Sequence, residues 1–540
     1  MPIDALLHGL LEARLASRIW RRDLTTFGGP DAPGEVQTSV RTRLGWLDAP
    51  TAMTAHLPEL DAFAGSVQRD GLTDVYLLGM GGSSLCAEVL RDVPLARANG
   101  ARLVVLDTTD EATIRDVTGK LAADRACFLV SSKSGTTIEV TSLERHFWSV
   151  IERAGRDKPG NHFVAITDPG TPLVTYAADR GYRQTFINPP DVGGRYSALS
   201  LFGLVPGALL GLNVPALLAS ARQMADRCRH DNATNPGLAL GAFLAGHAKA
   251  GRDKLTLLAP SPLAPLGAWI EQLIAESTGK HGHGLLPVVD EPVGAPSEYG
   301  ADRLFVALVP PEATDVRAAA ELLATAGQPV LRIETTAADL GAEFFRWEFA
   351  TAVTGAALDV NPFDEPNVRD AKMRTQVQLD TRAKTGAFHI DPPLVPDGAV
   401  TKRAHRTTTL AGHPGRYIAI LDYLSPDASR AETVARIRTD LRHRFGLATT
   451  HGRGPRYLHS TGQYHKGGPN TGTFLLVTGT DAATTPVPGT AYTFSMLKQA
   501  QALGDFEALA AAGRDVVQVH VEDAAADRSA MLETIAAALD

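Results

Sequence analysis

Cysteine is almost missing from this 540-residue chain. Only Cys86, Cys127 and Cys228 occur, far apart and odd in number. No disulfide framework or CxxC metal knuckle can be built from them, which points to a reducing compartment, the cytoplasm. Positive charge is not in excess either. The formal net charge is −8, which argues against nucleic acid or an anionic membrane as partner. The opening MPIDALLHGLLEARL has no basic stretch, and Asp4 and Glu12 interrupt its apolar run, so no signal peptide is expected. One uncharged run, Tyr196 to Ala221, has the length of a membrane span. Pro206, Pro215, Asn213 and three glycines break it. It reads as a buried helix followed by a break. Ser277-Thr278-Gly279-Lys280 is followed by His281 and is not a P-loop. His281-Gly282-His283 and the pair His459 and His465 make poor metal sites, so no metal is expected.

What the chain does have is 44% hydrophobic residues and the length of two to four domains. A short apolar strand, a glycine-rich or hydroxyl-rich turn and a helix recur along it. Strands are predicted at Asp74–Gly79, Arg102–Asp107, Cys127–Ser131, Phe163–Thr167 and Gln184–Asn188, again at Lys254–Ala259, Leu304–Val309 and Pro329–Ile333, and again at Tyr417–Leu421, Thr473–Thr478 and Val516–Val521. Continuous apolar strands alternating with helices predict parallel sheets covered on both faces. A helix over Gly341–Ala357 should run into the loop NPFDEPNV, and helices are expected near Ala431–Phe445, at Phe494–Ala512 and at the C-terminus. The Pro/Gly-rich stretch 386–414 reads as a linker or covering loop. The predicted segments are an N-terminal helical piece (1–39), a first α/β domain (40–225), a second (226–390) and a C-terminal α/β segment (391–540).

Six segments could carry chemistry. Gly79-Met80-Gly81-Gly82-Ser83-Ser84 lies between a strand and a helix, where backbone N–H groups and the helix dipole favour an anion. It nearly matches GxGxxG, with Asp107 placed where a ribose-binding acid could sit. Alone it fits a dinucleotide, another phosphate or a tight turn. Ser131-Ser132-Lys133-Ser134-Gly135-Thr136-Thr137 crowds five hydroxyls and a lysine at a second strand-to-helix junction. A helix cap uses one hydroxyl, so the density favours a compact phosphomonoester. In Val192-Gly193-Gly194-Arg195-Tyr196-Ser197 an arginine sits at the mouth of an apolar helix, calling for an anionic ligand or a structural carboxylate. Gln272 and Glu276 share a helix face, and a carboxyl on an apolar helix suits a general base, although a lone glutamate is usually a surface residue. Lys372, after NPFDEPNVRDA, and His459, in LHSTGQY, are unremarkable by themselves.

In this order GMGGSS, SSKSGTT, VGGRYS, QLIAESTGK and NPFDEPNVRDAK resemble the glucose-6-phosphate isomerase family, from about residue 40 onward. The resemblance implies two SIS-type three-layer αβα sandwich domains with parallel sheets, followed by the C-terminal α/β segment. It implies that Gly82, Ser83, Ser132, Ser134 and Thr137, with Lys133 nearby, hold a sugar phosphate and that Gln272 lines the site. Arg195 would face an enediolate, Glu276 would be the base, and Lys372 and His459 would assist ring opening. The expected partner is a small sugar phosphate, with no cofactor and with a homodimer as a candidate assembly. The histidine follows Lys372 in the chain, an order similar to the isomerase half of the bifunctional transaldolase/glucose-6-phosphate isomerase proteins. Glu365 stands where the family commonly has glutamine. Rival expectations are a broader isomerase acting also on mannose 6-phosphate, a non-catalytic sugar-phosphate sensor, and an NAD-dependent dehydrogenase.

Overall fold

Three runs of β-strand form three separate sheets, and every strand pairing in them is parallel. The structure is a computed structural model and describes residues 3–28, 33–155, 158–388, 415–521 and 532. The first sheet is built from β1 (Asp74–Leu78), β2 (Arg102–Leu106), β3 (Ala126–Ser131), β4 (Phe163–Thr167) and β5 (Gln184–Ile187), in the order β2-β1-β3-β4-β5. The second holds β6 (Lys254–Leu258), β7 (Leu286–Val288), β8 (Arg303–Val309) and β9 (Val330–Glu334), in the order β7-β6-β8-β9. In the third, β10 (Tyr417–Asp422), β11 (Ala448–Arg453), β12 (Gly472–Gly479) and β13 (Asp515–Val521) are ordered β11-β10-β12-β13. The α/β class and the parallel sheets are as expected, and the C-terminal segment brings a full sheet of its own.

The central strands are buried along their whole length, as in β1, β3, β6 and β8. This is why they read as unbroken apolar runs. Strands β7 and β11 escape the sequence reading for opposite reasons. One is three residues long with a proline in the middle; the other, ATTHGR, is almost wholly polar. In each sheet the chain leaves the first strand to one side and returns to the other. In the first sheet this opens a crevice between the carboxyl ends of β1 and β3, where ligands bind in open α/β sheets. The glycine loop and the hydroxyl loop flank that crevice.

One apolar core runs from Leu6 to Phe363, so the N-terminal helices and the first two sheets share it. Helix Val214–Arg227 crosses the expected boundary between residues 225 and 226. The uncharged run resolves into helix Leu201–Leu209, a turn with Gly211 at φ +71°, and the start of that next helix. Among the described residues no helix is long and apolar enough to cross a membrane. The third unit packs on both others. Val487 and Phe494 join the core beneath β3, and Tyr457, Tyr464 and Tyr417 join Ala275 and Leu286 of the second unit. NPFDEPNV is a loop only in its first part, because Pro366 opens helix Pro366–Thr385, which carries Lys372. Most of the expected linker, 389–414, and nearly all of the expected C-terminal helix lie outside the described residues.

Candidate active site

The crevice is a cavity of about 500 Å³. Gly82, Ser83, Lys133, Ser134, Thr137, Arg195, Gln272, Glu276, Lys372 and His459 all line it. Ser132 does not. It is buried under the hydroxyl loop, where its Oγ accepts from the Gly135 N–H at 3.1 Å and bonds Thr137 Oγ1 at 3.0 Å. Ser132 therefore shapes the loop from beneath, while Ser134 and Thr137 face the cavity. Gly135, at φ +68°, makes the turn that presents them, and a Cβ there would also meet the Leu173 N at 2.9 Å. Ser131 Oγ donates to the Ser83 carbonyl at 2.9 Å and ties the hydroxyl loop to the glycine loop. Lys133 pairs with Asp168; burial nonetheless pulls its ammonium below the usual lysine range.

Gly82 has a steric reason to be glycine, since a Cβ there would lie 2.0 Å from the Gly194 carbonyl oxygen. That contact sets Arg195 beside the glycine loop. Arg195 is only 5% exposed, and four of its five N–H donors are engaged within the protein. Nε donates to Ser277 Oγ at 2.8 Å, and Nη2 to the Pro362 and Asp364 carbonyls at 2.7 and 2.8 Å. Nη1 donates to Glu365 Oε2 at 3.1 Å and lies 3.7 Å from Glu276 Oε1. Burial pushes the Glu276 carboxyl above its ordinary range; Arg195 opposes this and the Glu365 charge adds to it. Burial also acts on Glu365, but Arg195, Arg43 and Lys280 prevail and hold that carboxyl low. Lys280, wholly buried beside Asp364 and the Asn361 carbonyl, is pushed down to about 8 by desolvation and by Arg195. Gln272 Nε2 donates to Glu276 Oε2 at 3.1 Å and to the His459 carbonyl at 2.8 Å. Its buried Oε1 has no partner among the described residues.

His459 reaches the cavity from the third unit. Its Nε2 lies 2.9 Å from Oε1 of Glu139, a buried carboxylate in the first turn of helix Ile138–Arg153. Burial raises the Glu139 carboxyl, but His459 and Lys372 overcome it and keep the group low. Lys372 is exposed at the cavity rim, and its ammonium has no hydrogen bond or ion pair among the described residues. Sequence reading missed Glu139. Its only signal is a glutamate two residues after the hydroxyl loop, which also describes an ordinary first-turn acid. Asp168 and Arg43, also on the cavity wall, carried no motif at all. Asp107, the dinucleotide-type acid, faces Arg456 Nη1 at 3.3 Å and Ser84 Oγ at 3.4 Å, so its carboxylate is engaged within the protein.

The family model described as phosphoglucose isomerase matches residues 61–286. The glucose-6-phosphate isomerase of Rubrobacter xylanophilus is 30% identical over 407 residues, covering 64% of this chain and 93% of that protein. A probable glucose-6-phosphate isomerase of Haloarcula marismortui is 29% identical over 393 residues, covering 64% and 86%. Among solved structures, a hypothetical protein from Thermus thermophilus superposes with a TM-score of 0.61 at 25% identity, over 70% of this chain and 96% of that one. A glucose-6-phosphate isomerase from Chlamydia trachomatis shares the fold, with a TM-score of 0.58 at 18% identity over 69% and 85%. With 93% of a 30%-identical relative matched and the five motifs gathered round one cavity, this chain belongs to the phosphoglucose isomerase family.

Proposed function

We propose that the protein is a glucose-6-phosphate isomerase, interconverting glucose 6-phosphate and fructose 6-phosphate through a cis-enediolate. One observation carries the reading. A buried glutamate with a raised carboxyl, an arginine and a histidine backed by a carboxylate stand with the Ser134 and Thr137 loop, the glutamate, arginine and histidine all lining the same 500 Å³ cavity. The reaction moves hydrogen within one molecule: C1 is reduced as C2 is oxidised, or the reverse. It needs a base, an acid and a charge-stabilising donor, and no external oxidant.

In this reading the loop after β3 takes the phosphate at the N-terminus of helix Ile138–Arg153, with hydroxyl donors and the helix dipole acting together. For ring opening, His459 accepts the proton of the anomeric hydroxyl. The ring C–O bond breaks with its electron pair on the ring oxygen, and the Lys372 ammonium supplies a proton there. Glu276 then removes the proton from C2 and returns it to C1. The raised carboxyl makes Glu276 a stronger base than an exposed glutamate. Arg195, already buried and oriented, stabilises the oxyanion without reorganising. The free acceptor of Gln272 suits a sugar hydroxyl.

The chain order Glu276, Lys372, His459 supports kinship with the isomerase half of the bifunctional transaldolase/glucose-6-phosphate isomerase proteins. A net charge of −8 and three buried free thiols support a cytoplasmic enzyme acting on a small metabolite, without nucleic acid. A homodimer is the assembly to test by light scattering. The deciding experiment is turnover of fructose 6-phosphate in a coupled assay containing a chelator, with mannose 6-phosphate as the competing product to be scored. Absence of turnover at any pH would overturn the reading.

A further inference from the structure

Gln501 is a buried residue of helix Phe494–Ala511, in the third unit, and no motif pointed to it. Both ends of its amide are engaged. Nε2 donates to Glu139 Oε1 at 2.7 Å, and Oε1 accepts from Thr109 Oγ1 at 2.9 Å. Thr109 lies just past β2 and is fully buried. The oxygen that receives Gln501 is the same Glu139 oxygen that lies 2.9 Å from His459 Nε2. Glu139 thus joins three parts of the chain at one atom: its own helix, the His459 loop and the Gln501 helix. A second cavity of about 210 Å³ adjoins the first, sharing Ser134, Thr137, Lys372 and His459 with it, and is lined also by Gln501 and Glu139.

We propose that Gln501 is a positioning residue for the histidine–carboxylate pair: it holds Glu139 charged and in place, so that His459 keeps its proton on Nε2 and leaves Nδ1 for substrate. A buried carboxylate stays ionised only when donors replace its lost water. His459 is one such donor and Gln501 is the second, on the same oxygen. With Gln501 gone, desolvation falls on a carboxylate with one neutral side-chain donor fewer, left to the imidazole, its own backbone N–H and the more distant Lys372 charge. With less support for its anion, Glu139 takes up a proton from solvent more readily; the neutral carboxyl then donates to Nε2, the imidazole carries its own proton on Nδ1 instead, and the ring loses the orientation that the charged, anchored carboxylate imposes. The amide cannot turn round, because its oxygen would then face the Glu139 carboxylate. The Thr109 hydroxyl reinforces the same orientation. The other charges acting on the pair are Lys372, from helix Pro366–Thr385, and Glu276, from helix Leu266–Thr278.

The inference rests on the isomerase reading for its kinetic consequence, while its structural half can be read without turnover. The test uses the full chain with ¹⁵N-labelled histidine and the His459 signals assigned by their loss in His459→Asn. In the unaltered protein at neutral pH, the ring nitrogens should report a single Nε2–H tautomer. Gln501→Met keeps the length of the side chain and removes both hydrogen bonds. It should give a mixed tautomer and a kcat at least about 10-fold lower, a part of the 10²–10⁴ that positioned acid–base groups supply, with KM within about twofold. Thr109→Val should move both readouts the same way by a smaller factor. If folded Gln501→Met keeps the single tautomer and the unaltered kcat, the proposal is overturned. Should that variant fail to fold, an unchanged tautomer and kcat in Thr109→Val overturn it equally. A tautomer that shifts in a protein with no isomerase turnover would support the positioning role and reject the isomerase reading.

Discussion

Glu276 and Arg195 meet at 3.7 Å, Oε1 to Nη1, and neither is free to move toward the other. Arg195 is anchored by Ser277 and two backbone carbonyls, and Glu276 by Gln272. A carboxylate and a guanidinium this close would ordinarily form a tight pair and leave the carboxylate a poor base. Here burial of Glu276 and the competing charge of Glu365 keep the carboxyl above its ordinary range.

Glu276→Gln tests the base directly. The amide preserves shape and removes basicity, so kcat should fall by at least about 10²-fold, the usual contribution of a positioned general base. Binding of a phosphorylated inhibitor should persist. Deuterium from solvent should enter C2 of the aldose during turnover by the unaltered enzyme and be nearly absent with the variant. Near-normal kcat would remove Glu276 from the mechanism.

Glu365→Gln tests the competing charge. Its anion raises the Glu276 carboxyl, and it takes one of the Arg195 N–H donors. Removing it withdraws a like charge and strengthens the pull of Arg195 on Glu276, and both effects lower the Glu276 carboxyl. The base must be ionised to act, so the acidic limb of the kcat/KM profile should move to lower pH. A limb that stays in place, or moves up, would show that Glu365 does not tune Glu276.

The hydroxyl loop separates two kinds of serine. Ser134→Ala combined with Thr137→Ala should weaken a phosphorylated inhibitor by about 1–3 kcal/mol, the range for lost hydrogen bonds to a charged group. Ser132→Ala should act differently. Its hydroxyl supports Gly135 and Thr137 from beneath, so it should lower the thermal midpoint as well as affinity. Calorimetric titration and melting of both variants distinguish the two roles. Equal behaviour would place Ser132 on the substrate.

His146 ties stability to pH. It is buried between Phe147 and Phe494, its Nε2 lies 2.8 Å from Thr118 Oγ1, and desolvation with Arg153 brings its pKa down to about 4. The unfolded chain takes up a proton at His146 near pH 6.5; the folded chain does so only near pH 4. Between these values the unfolded state holds more protons, so stability falls as pH falls through the window. His146→Gln should flatten the decline of the thermal midpoint from pH 7 to pH 5. An unchanged slope would assign the acid sensitivity to other groups.

Local sequence determined what local backbone chemistry can encode. The unbroken apolar strands of the first two sheets, the break near Gly211 and the two loops at strand-to-helix junctions could all be read from a few neighbouring residues, because strand burial, glycine conformation and helix capping act over such distances. Glu276 and Gln272 were readable as a pair for the same reason, one turn apart on a helix. The three-residue β7, the polar β11 and the helix carrying Lys372 were not, since pairing and packing from elsewhere stabilise them. Nor could sequence show that Ser132 turns inward while Ser134 faces the cavity. The pairing of His459 with Glu139 spans 320 positions, and that of Gln501 with Glu139 spans 362. No periodicity reaches so far along a chain. Only the docking of the third sheet on the other two brings these side chains to one oxygen atom, where burial turns an ordinary glutamate into a charged group that two donors must hold.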